Sequence, residues 1–372
     1  MSVIPVANPL ANYQAHKADI ASAAVRVLES GWYIMGSEVA AFEKEFASYV
    51  GTTECVTVGT GTDALILILR AMGIGPGDTV ITVSHTAVAT VSAIDLVGAR
   101  PLLVDVDPIY FTMSPEHLER TLSEWSGDPI KAVIPIHLYG HPAAMDEIMA
   151  IAGRRGVPVV EDCAQAHGAV YRGRAVGTIG VAAAFSFYPT KNLGAMGDGG
   201  AVATSDPALA DRCRLIKQYG WRQRYVSETN GMNTRLDELQ AAILRVKLKT
   251  LHDQNNRRGE IARTYGATGG NKRIEHPVIA PGIEHAFHQY DVQTNGRDAL
   301  QSHLQAKGIA SAILYPVPVH LQEGYANRVS LGAGGLGATE KLCSRILSIP
   351  MYPELTDAEC GVVCDALRTF ES

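Results

Sequence analysis

The stretch FSFYPTKNLGAMGDGGAV, residues 185–202, places one lysine, Lys191, between a strand-like apolar run and a series of glycines. Lysine is among the residues that are least often buried without a partner. A surface lysine after a turn would explain the pattern, and so would a lysine held inside a binding site. The sequence around this stretch decides between the two interpretations.

Short runs rich in β-branched residues alternate with helix-like segments between residues 55 and 205. The strand-like runs are CVTV (55–58), DTVITV (78–83), PLLVDV (101–106), KAVIPIHL (131–138) and PVVEDC (158–163). Strands separated by helices are typical of βαβ units, which form buried and mostly parallel sheets. We therefore predict an α/β fold whose ligands bind beyond the carboxyl ends of the strands.

The periodicity changes along the chain and predicts two domains. Residues 1–250 would form an N-terminal helix and a large domain that contains the parallel sheet. The segment 235–266 predicts a long amphipathic helix, with room for one break. Residues 251–372 would form a smaller C-terminal α/β domain, because strand-like YDVQT and AILYPVP alternate there with helical segments near 297–307, 338–346 and 356–367.

The composition argues against several classes of function. The 372 residues have a formal net charge of −6, which does not favour a nucleic-acid-binding surface or a basic membrane patch. The sequence shows no signal peptide and no apolar run of the roughly 20 residues that span a membrane, so we expect a soluble, cytoplasmic protein. The six cysteines have no CxxC or metal-finger spacing, and we expect reduced thiols and no metal.

Residues that could bind a ligand or react with it lie at the ends of three of the predicted strands. After CVTV, Gly61 and Thr62 open a helix whose N-terminal N–H groups would suit a phosphate. Asp162 lies near the end of PVVEDC, one residue before Cys163, and Lys191 follows the next strand-like run. Pyridoxal phosphate (PLP) requires this combination, because a lysine binds its aldehyde as a Schiff base and an acid keeps its pyridine nitrogen protonated. We interpret Lys191 as the covalent anchor of PLP; a nucleotide-binding protein without PLP would leave Lys191 and Asp162 unexplained.

Ordered motifs along almost the whole chain resemble the DegT/StrS family of nucleotide-sugar aminotransferases. Besides residues 185–202, they include SGWYIMGSEVAAFEKEFASYVG (30–51), VSHTAVAT (83–90), EDCAQAHGA (161–169), GMNTRLDELQAAIL (231–244) and YPVPVHLQEGY (315–325). The resemblance implies the fold of aspartate aminotransferase, which is PLP fold type I. It also implies a homodimer with shared active sites, L-glutamate as amino donor, and pyridoxamine phosphate as the intermediate form of the cofactor.

The family pattern implies a role for individual residues of this sequence. Lys191 would bind PLP covalently, and Asp162 would contact the pyridine nitrogen. The other implied cofactor contacts are Gln165 on the ring hydroxyl, Gly61, Thr62 and Ser186 on the phosphate, and Asn233 on the phosphate in the neighbouring subunit. The residues that would line the sugar side are Tyr33, Tyr188 and His320, although Tyr33 and His320 would equally suit a buried aromatic and a turn histidine.

One position departs from the family pattern. Many members carry an aromatic residue that stacks on the PLP ring where this sequence has Ala87, within HTAVAT. Either Ala87 packs on the ring as a small apolar surface, or His85 supplies the aromatic face. The departure would weaken cofactor retention by about 1 kcal/mol.

The resemblance favours transamination, because members that act as dehydratases carry histidine in place of the lysine. The motifs indicate action at C-3 of a dTDP-linked 3-keto-6-deoxyhexose, giving a 3-amino sugar for glycan or natural-product biosynthesis. A C-4 aminotransferase acting on a 4-keto-6-deoxy nucleotide sugar is the alternative. A non-catalytic PLP-binding regulator and an amino-acid aminotransferase of the same fold also remain open.

Overall fold

The computed structural model describes residues 3–268 and 271–371. The α-helices in these ranges are α1 (Pro9–Ala15), α2 (Lys17–Ser30), α3 (Ser37–Val50), α4 (Gly61–Ala71), α5 (Ala89–Leu96), α6 (Pro115–Glu124), α7 (Met145–Arg154), α8 (Pro207–Ile216), α9 (Glu238–Leu248), α10 (Leu251–Gly266), α11 (Arg297–Ala306), α12 (Gly337–Arg345) and α13 (Asp357–Arg368). The β-strands are β1 (Glu54–Val58), β2 (Thr79–Val83), β3 (Arg100–Val104), β4 (Ile130–Val133), β5 (Val160–Asp162), β6 (Val170–Tyr171), β7 (Arg174–Ala175), β8 (Ala182–Ser186), β9 (Gly200–Thr204), β10 (Trp221–Gln223), β11 (Val226–Ser227), β12 (Ile283–Glu284), β13 (Tyr290–Gln293), β14 (Ser330–Leu331) and β15 (Ile346–Ile349).

The central sheet combines two four-stranded halves, β1-β9-β8-β5 and β4-β2-β3-β14. Parallel bridges from Val133 to Val159 and from Ile136 to Asp162 join the halves between β4 and β5. Among the strands that the structure describes in this sheet, β9 runs antiparallel to both neighbours and the remaining pairs are parallel. The predicted α/β fold with a mostly parallel sheet is therefore confirmed. Because β1, β2, β5 and β8 run in one direction, their carboxyl ends share one edge.

Both faces of this sheet are buried, and successive residues of β8 and β9 alternate between two hydrophobic clusters. In β8, Ala182 and Ala184 pack with α4, α5 and α8, whereas Ala183 and Phe185 pack with α3, α7 and α9. Continuous apolar strands are what a sheet covered on both sides needs. This packing holds the strand ends in fixed relative positions.

A third hydrophobic cluster supports the division that we propose near residue 250. It lies within residues 261–370 except for Ile4, and it surrounds the antiparallel pair β13-β15. Two segments cross the proposed boundary. Ile4 N donates to Gly308 O at 2.9 Å, and β14 adds to the edge of the large sheet beside β3.

The helical segment expected over 235–266, with room for one break, is divided into α9 and α10 by a break at Thr250, whose hydroxyl donates to Lys247 O at 3.2 Å. The strand expected for AILYPVP is wrong, because residues 312–318 contribute one isolated bridge, from Ala312 to Ser348. Pro316 and Pro318 lack the N–H groups that a strand would need there. No helix in the described ranges is both long and apolar enough to cross a membrane.

Candidate active site

A cavity of about 330 Å³ lies at the carboxyl ends of β1, β2, β5 and β8. Several predicted site residues line it together: Gly61, Thr62, Ala87, Asp162, Gln165, Ser186, Tyr188 and Lys191. These residues come from segments far apart in the chain, and the shared strand direction brings them to one place.

Lys191 lies on the tight turn that follows β8. Its backbone N–H donates to Tyr188 O at 2.8 Å, and a Cβ on Gly194 would lie 2.4 Å from Pro189 O. Burial lowers the pKa of Lys191 to about 8, and the nearby charge of Asp162 opposes this shift. About a tenth of the amine is then uncharged at pH 7, and this is the form that reacts with an aldehyde.

The lowered pKa predicts how the reactivity of Lys191 depends on pH. Because only the uncharged amine reacts, labelling of Lys191 should rise with pH and level off above about pH 8. Trace labelling of the cofactor-free protein with acetic anhydride, read by peptide mass spectrometry, measures this profile. Exposed Lys44 provides the internal reference. Labelling of Lys191 that still rose about tenfold per pH unit above about pH 9 would contradict the prediction.

Asp162 is the last residue of β5 and is 4% exposed. Its Oδ2 accepts a hydrogen bond from Thr90 Oγ1 at 2.7 Å, and its Oδ1 accepts one from Ala164 N at 3.0 Å. These two donors orient the carboxylate and compensate for its removal from water. The group is therefore held in one orientation at the cavity wall.

The N-terminus of α4 forms the opposite part of the cavity. Thr60 Oγ1 accepts from Asp63 N at 3.0 Å and caps the helix, whereas the N–H groups of Gly61 and Thr62 find no acceptor within residues 3–268 and 271–371. A Cβ on Gly61 would lie 2.7 Å from Ser186 Cβ, so glycine is needed for this close approach. Free N–H groups at the positive end of a helix dipole suit the phosphate of PLP.

The structure distinguishes the two candidates for the ring face. His85 is fully buried, with Nε2 2.8 Å from Tyr139 Oη and Nδ1 3.3 Å from Cys343 Sγ, and it does not line the cavity. Burial lowers the pKa of His85 to about 3, so its ring is neutral. Ala87 lines the cavity, so Ala87 rather than His85 can face the cofactor ring.

Tyr33 and His320 do not line this cavity in their own chain. His320 is 8% exposed, and its Nδ1 lies 2.7 Å from Ser84 Oγ. Tyr33 is 52% exposed and donates to Leu28 O at 3.2 Å. Within one chain, His320 is held by packing and Tyr33 lies at the surface, and their placement beside the sugar stays a prediction.

Asn233 also lies outside the cavity, with an exposed side chain. Its neighbour Thr234 accepts a hydrogen bond from Gly59 N at 2.8 Å and donates to Asp63 Oδ2 at 2.9 Å. These hydrogen bonds attach the segment around Asn233 to the loop before α4 and to the first turn of that helix. An exposed asparagine on a fixed segment is available to a second subunit, and its predicted role across a dimer interface stays a prediction.

Thr90, Asp198 and Tyr315 are site residues that the sequence reasoning did not single out. Thr90 ends the motif VSHTAVAT, but its partner Asp162 is 72 residues away. Asp198 lines the cavity from the glycine-rich end of the Lys191 stretch. Tyr315 accepts a hydrogen bond from Gln165 Nε2 at 3.0 Å. Polar residues within recognised motifs were the available signal for all three.

A buried cluster next to Asp162 has the residue types of a metal site. The ligand atoms of His137, Glu161 and Cys163 lie within 4.8 Å of one another. However, His137 Nδ1 already accepts from Ala143 N at 2.9 Å. Glu161 accepts from His137 and from the backbone N–H groups of Gly177, Ile179 and Gly180. These hydrogen bonds explain the buried charge without an ion, and the absence of a metal stays a prediction.

A partly buried lysine, a buried aspartate and a free helix N-terminus around one cavity of this α/β fold define an aspartate-aminotransferase-like enzyme of PLP fold type I. The chain belongs to the DegT/DnrJ/EryC1/StrS aminotransferase family, whose model matches residues 14–368. This confirms the resemblance drawn from the sequence motifs.

Individual relatives cover nearly the whole chain. A dTDP-3-amino-3,4,6-trideoxy-alpha-D-glucose transaminase from Streptomyces venezuelae is 45% identical over 99% of this chain and 96% of its own length. The erythromycin biosynthesis sensory transduction protein EryC1 from Saccharopolyspora erythraea is 47% identical over 98% of this chain and 99% of its own. The crystal structure of S. venezuelae DesV in complex with a ketimine intermediate superimposes with a TM-score of 0.95, at 45% identity, covering 99% of this chain and 98% of DesV.

Proposed function

We propose that this chain is a PLP-dependent sugar aminotransferase that transfers the amino group of L-glutamate to C-3 of a dTDP-linked 3-keto-6-deoxyhexose. The observation that carries the proposal is the convergence of Lys191 and Asp162 on a cavity whose other wall is the N-terminus of α4. The similarity to the S. venezuelae transaminase supports action at C-3 of a dTDP-sugar. A cytoplasmic location stays a prediction.

The residues of the cavity fit the needs of this reaction. PLP, when bound, supplies an aldehyde that takes up an amino group and a ring that withdraws electrons from the carbon that loses a proton. Asp162, oriented by Thr90 and Ala164, would hold a proton at the ring nitrogen. Lys191 would remove and return the substrate proton, because burial brings its pKa to about 8, where it can both accept and release one. The N–H groups of Gly61 and Thr62 would bind the phosphate.

A single-turnover experiment tests the function. The protein would be converted with glutamate to its pyridoxamine phosphate form, freed of small molecules, and mixed with a dTDP-linked 3-keto or 4-keto 6-deoxyhexose. The readout is the return of the absorbance of lysine-bound PLP. We expect recovery with the 3-keto sugar at least about 100-fold faster than with the 4-keto sugar, since a misplaced carbonyl loses about 3 kcal/mol of orientation.

Each outcome of this experiment has a defined meaning. Recovery with the 4-keto sugar alone would establish the C-4 alternative while leaving the cofactor chemistry intact. Recovery with neither sugar but with a 2-oxo acid unrelated to glutamate, such as pyruvate, would indicate an amino-acid aminotransferase. Failure of glutamate to change the spectrum of PLP-loaded protein would favour a non-catalytic PLP-binding protein.

We further propose that the enzyme is a homodimer in which Asn233 of each subunit contacts the phosphate held by the other. Lys191→Ala and Asn233→Ala homodimers should each be impaired at limiting PLP. In a mixed dimer, the Lys191 of one chain meets the Asn233 of the other, so one site is intact and about half of the wild-type activity should return. Tagged heterodimers purified by tandem affinity would measure this. Heterodimers no more active than the better parent would show that Asn233 acts within its own chain or not at all.

A further inference from the structure

The side-chain amide of Gln165 is held in one orientation by its neighbours. Its Oε1 accepts a hydrogen bond from Tyr139 N at 2.7 Å, and its Nε2 donates to Tyr315 Oη at 3.0 Å. A backbone N–H can only donate, so the amide oxygen must face Tyr139 and the amide nitrogen must face the other side. Of the two N–H groups on Nε2, one is used by Tyr315 and one remains.

The backbone of Tyr139 is set in an uncommon conformation to make this contact. Its φ is 59°, in the left-handed region that non-glycine residues rarely adopt. Strain of this kind persists only where surrounding contacts require it, and it is concentrated at functional sites. The residue is 3% exposed, so its position is fixed by packing on all sides.

The hydroxyl of Tyr139 secures the segment that carries Tyr315. It donates to Leu314 O and accepts from His85 Nε2, which lies 2.8 Å away. His85 is neutral because burial lowers its pKa, so Nε2 carries its hydrogen and Nδ1 is left to accept from the Cys343 thiol. Tyr139 thus holds Gln165 through its backbone and positions Tyr315 through its side chain.

Tyr315 completes the arrangement from the C-terminal part of the chain. Burial raises its pKa to about 12, so it remains a neutral phenol at physiological pH. Its oxygen accepts from Gln165, and the adjacent Gln165 side chain lines the cavity. A residue of the 312–318 segment therefore helps to hold in place a group of the large domain whose orientation is set by Tyr139 N–H.

We propose that Tyr139 and Tyr315 are positioning residues for Gln165, whose contact with the ring oxygen of the cofactor the family resemblance already implies. They hold the amide so that Gln165 can only donate a hydrogen bond toward that oxygen, which is ionised. The inference rests on the proposed function, because it takes the occupant of the cavity to be PLP. A donor at this oxygen withdraws electron density from it. The oxygen then forms a weaker hydrogen bond with the protonated nitrogen that links Lys191 to the cofactor. The pKa of this nitrogen is therefore lower, and its proton is released at lower pH.

The experiment is a spectrophotometric pH titration of lysine-bound PLP in the full-length protein at saturating cofactor. Gln165→Glu retains an acceptor for Tyr139 N but has no N–H to donate, and we expect its spectroscopic pKa to rise by about one pH unit or more. Tyr315→Phe and Tyr139→Phe each remove one hydroxyl and leave the Tyr139 backbone in place. Both should raise the spectroscopic pKa by about half a pH unit.

Tyr171→Phe is the matched control. Tyr171 is also 3% exposed, and its hydroxyl donates to Glu147 Oε2 at 3.1 Å, away from the cavity. It should lose thermal stability to a similar extent without any change in the titration. A shift in Gln165→Glu with none in Tyr315→Phe or Tyr139→Phe would overturn the inference, and Tyr315→Phe decides the matter if Tyr139→Phe does not fold. A wild-type protein that binds no PLP would instead overturn the proposed function itself.

Discussion

Replacing Lys191 by alanine should abolish covalent attachment of PLP and lower transamination by about 10⁴-fold or more, because the same amine both anchors the cofactor and moves the proton. Binding of pyridoxamine phosphate should survive, since the walls formed by Asp162 and the N-terminus of α4 remain. Borohydride reduction followed by intact-mass analysis measures attachment: wild type should retain one cofactor per chain and Lys191→Ala none.

Lys217→Met provides a control for the loss of a buried lysine. Lys217 is 5% exposed and donates to Thr57 O at 2.8 Å, but it does not line the cavity. This variant should lose stability while it keeps the reducible adduct. If Lys191→Ala still trapped one cofactor per chain at another lysine, the assignment of the anchor would be wrong.

The architecture was predictable because strands and helices leave different periodicities in the sequence. The runs from CVTV to PVVEDC all became strands of the central sheet, since each is long enough to show β-branched apolar character. The two-residue strand β14 left no such pattern, and its pairing depends on the neighbouring β3. The segment 312–318 shows the opposite case, a strand-like pattern without a strand. Its apolar residues pack on other elements rather than pair in a sheet.

The candidate site was predictable only in part, for a related reason. Gly61, Asp162 and Lys191 each follow a strand, and parallel strands bring such positions together. The contacts of Thr90 with Asp162 and of Tyr315 with Gln165 join residues that share no strand end or turn. Such contacts depend on how side chains are oriented after packing, which neither periodicity nor spacing encodes. The contact expected between Asn233 and a second subunit depends on how two chains associate, which the periodicity of one sequence does not encode.

Replacing Asp162 by asparagine should lower turnover by about 10³-fold with the cofactor still bound. The Asp162→Asn side chain would keep an oxygen for either Thr90 or Ala164. It would lack the negative charge that we expect to face the ring nitrogen. A pair of unit charges at about 4 Å is worth about 4 kcal/mol at an effective dielectric constant of about 20, and each 1.36 kcal/mol corresponds to about tenfold in rate. Single-turnover rates at saturating PLP separate this loss from any loss of cofactor affinity.

The matched control is Asp198→Asn, which removes a carboxylate from the wall of the same cavity. If the effect of Asp162 comes from a direct pair with the ring nitrogen, Asp198→Asn should change the rate by less than about tenfold, because the charge of exposed Asp198 is screened by solvent. Equal losses in the two variants would mean that the cavity acts through its overall negative potential. A near-normal rate in Asp162→Asn would require a different partner for the ring nitrogen, and Asp198 would then be the first residue to examine.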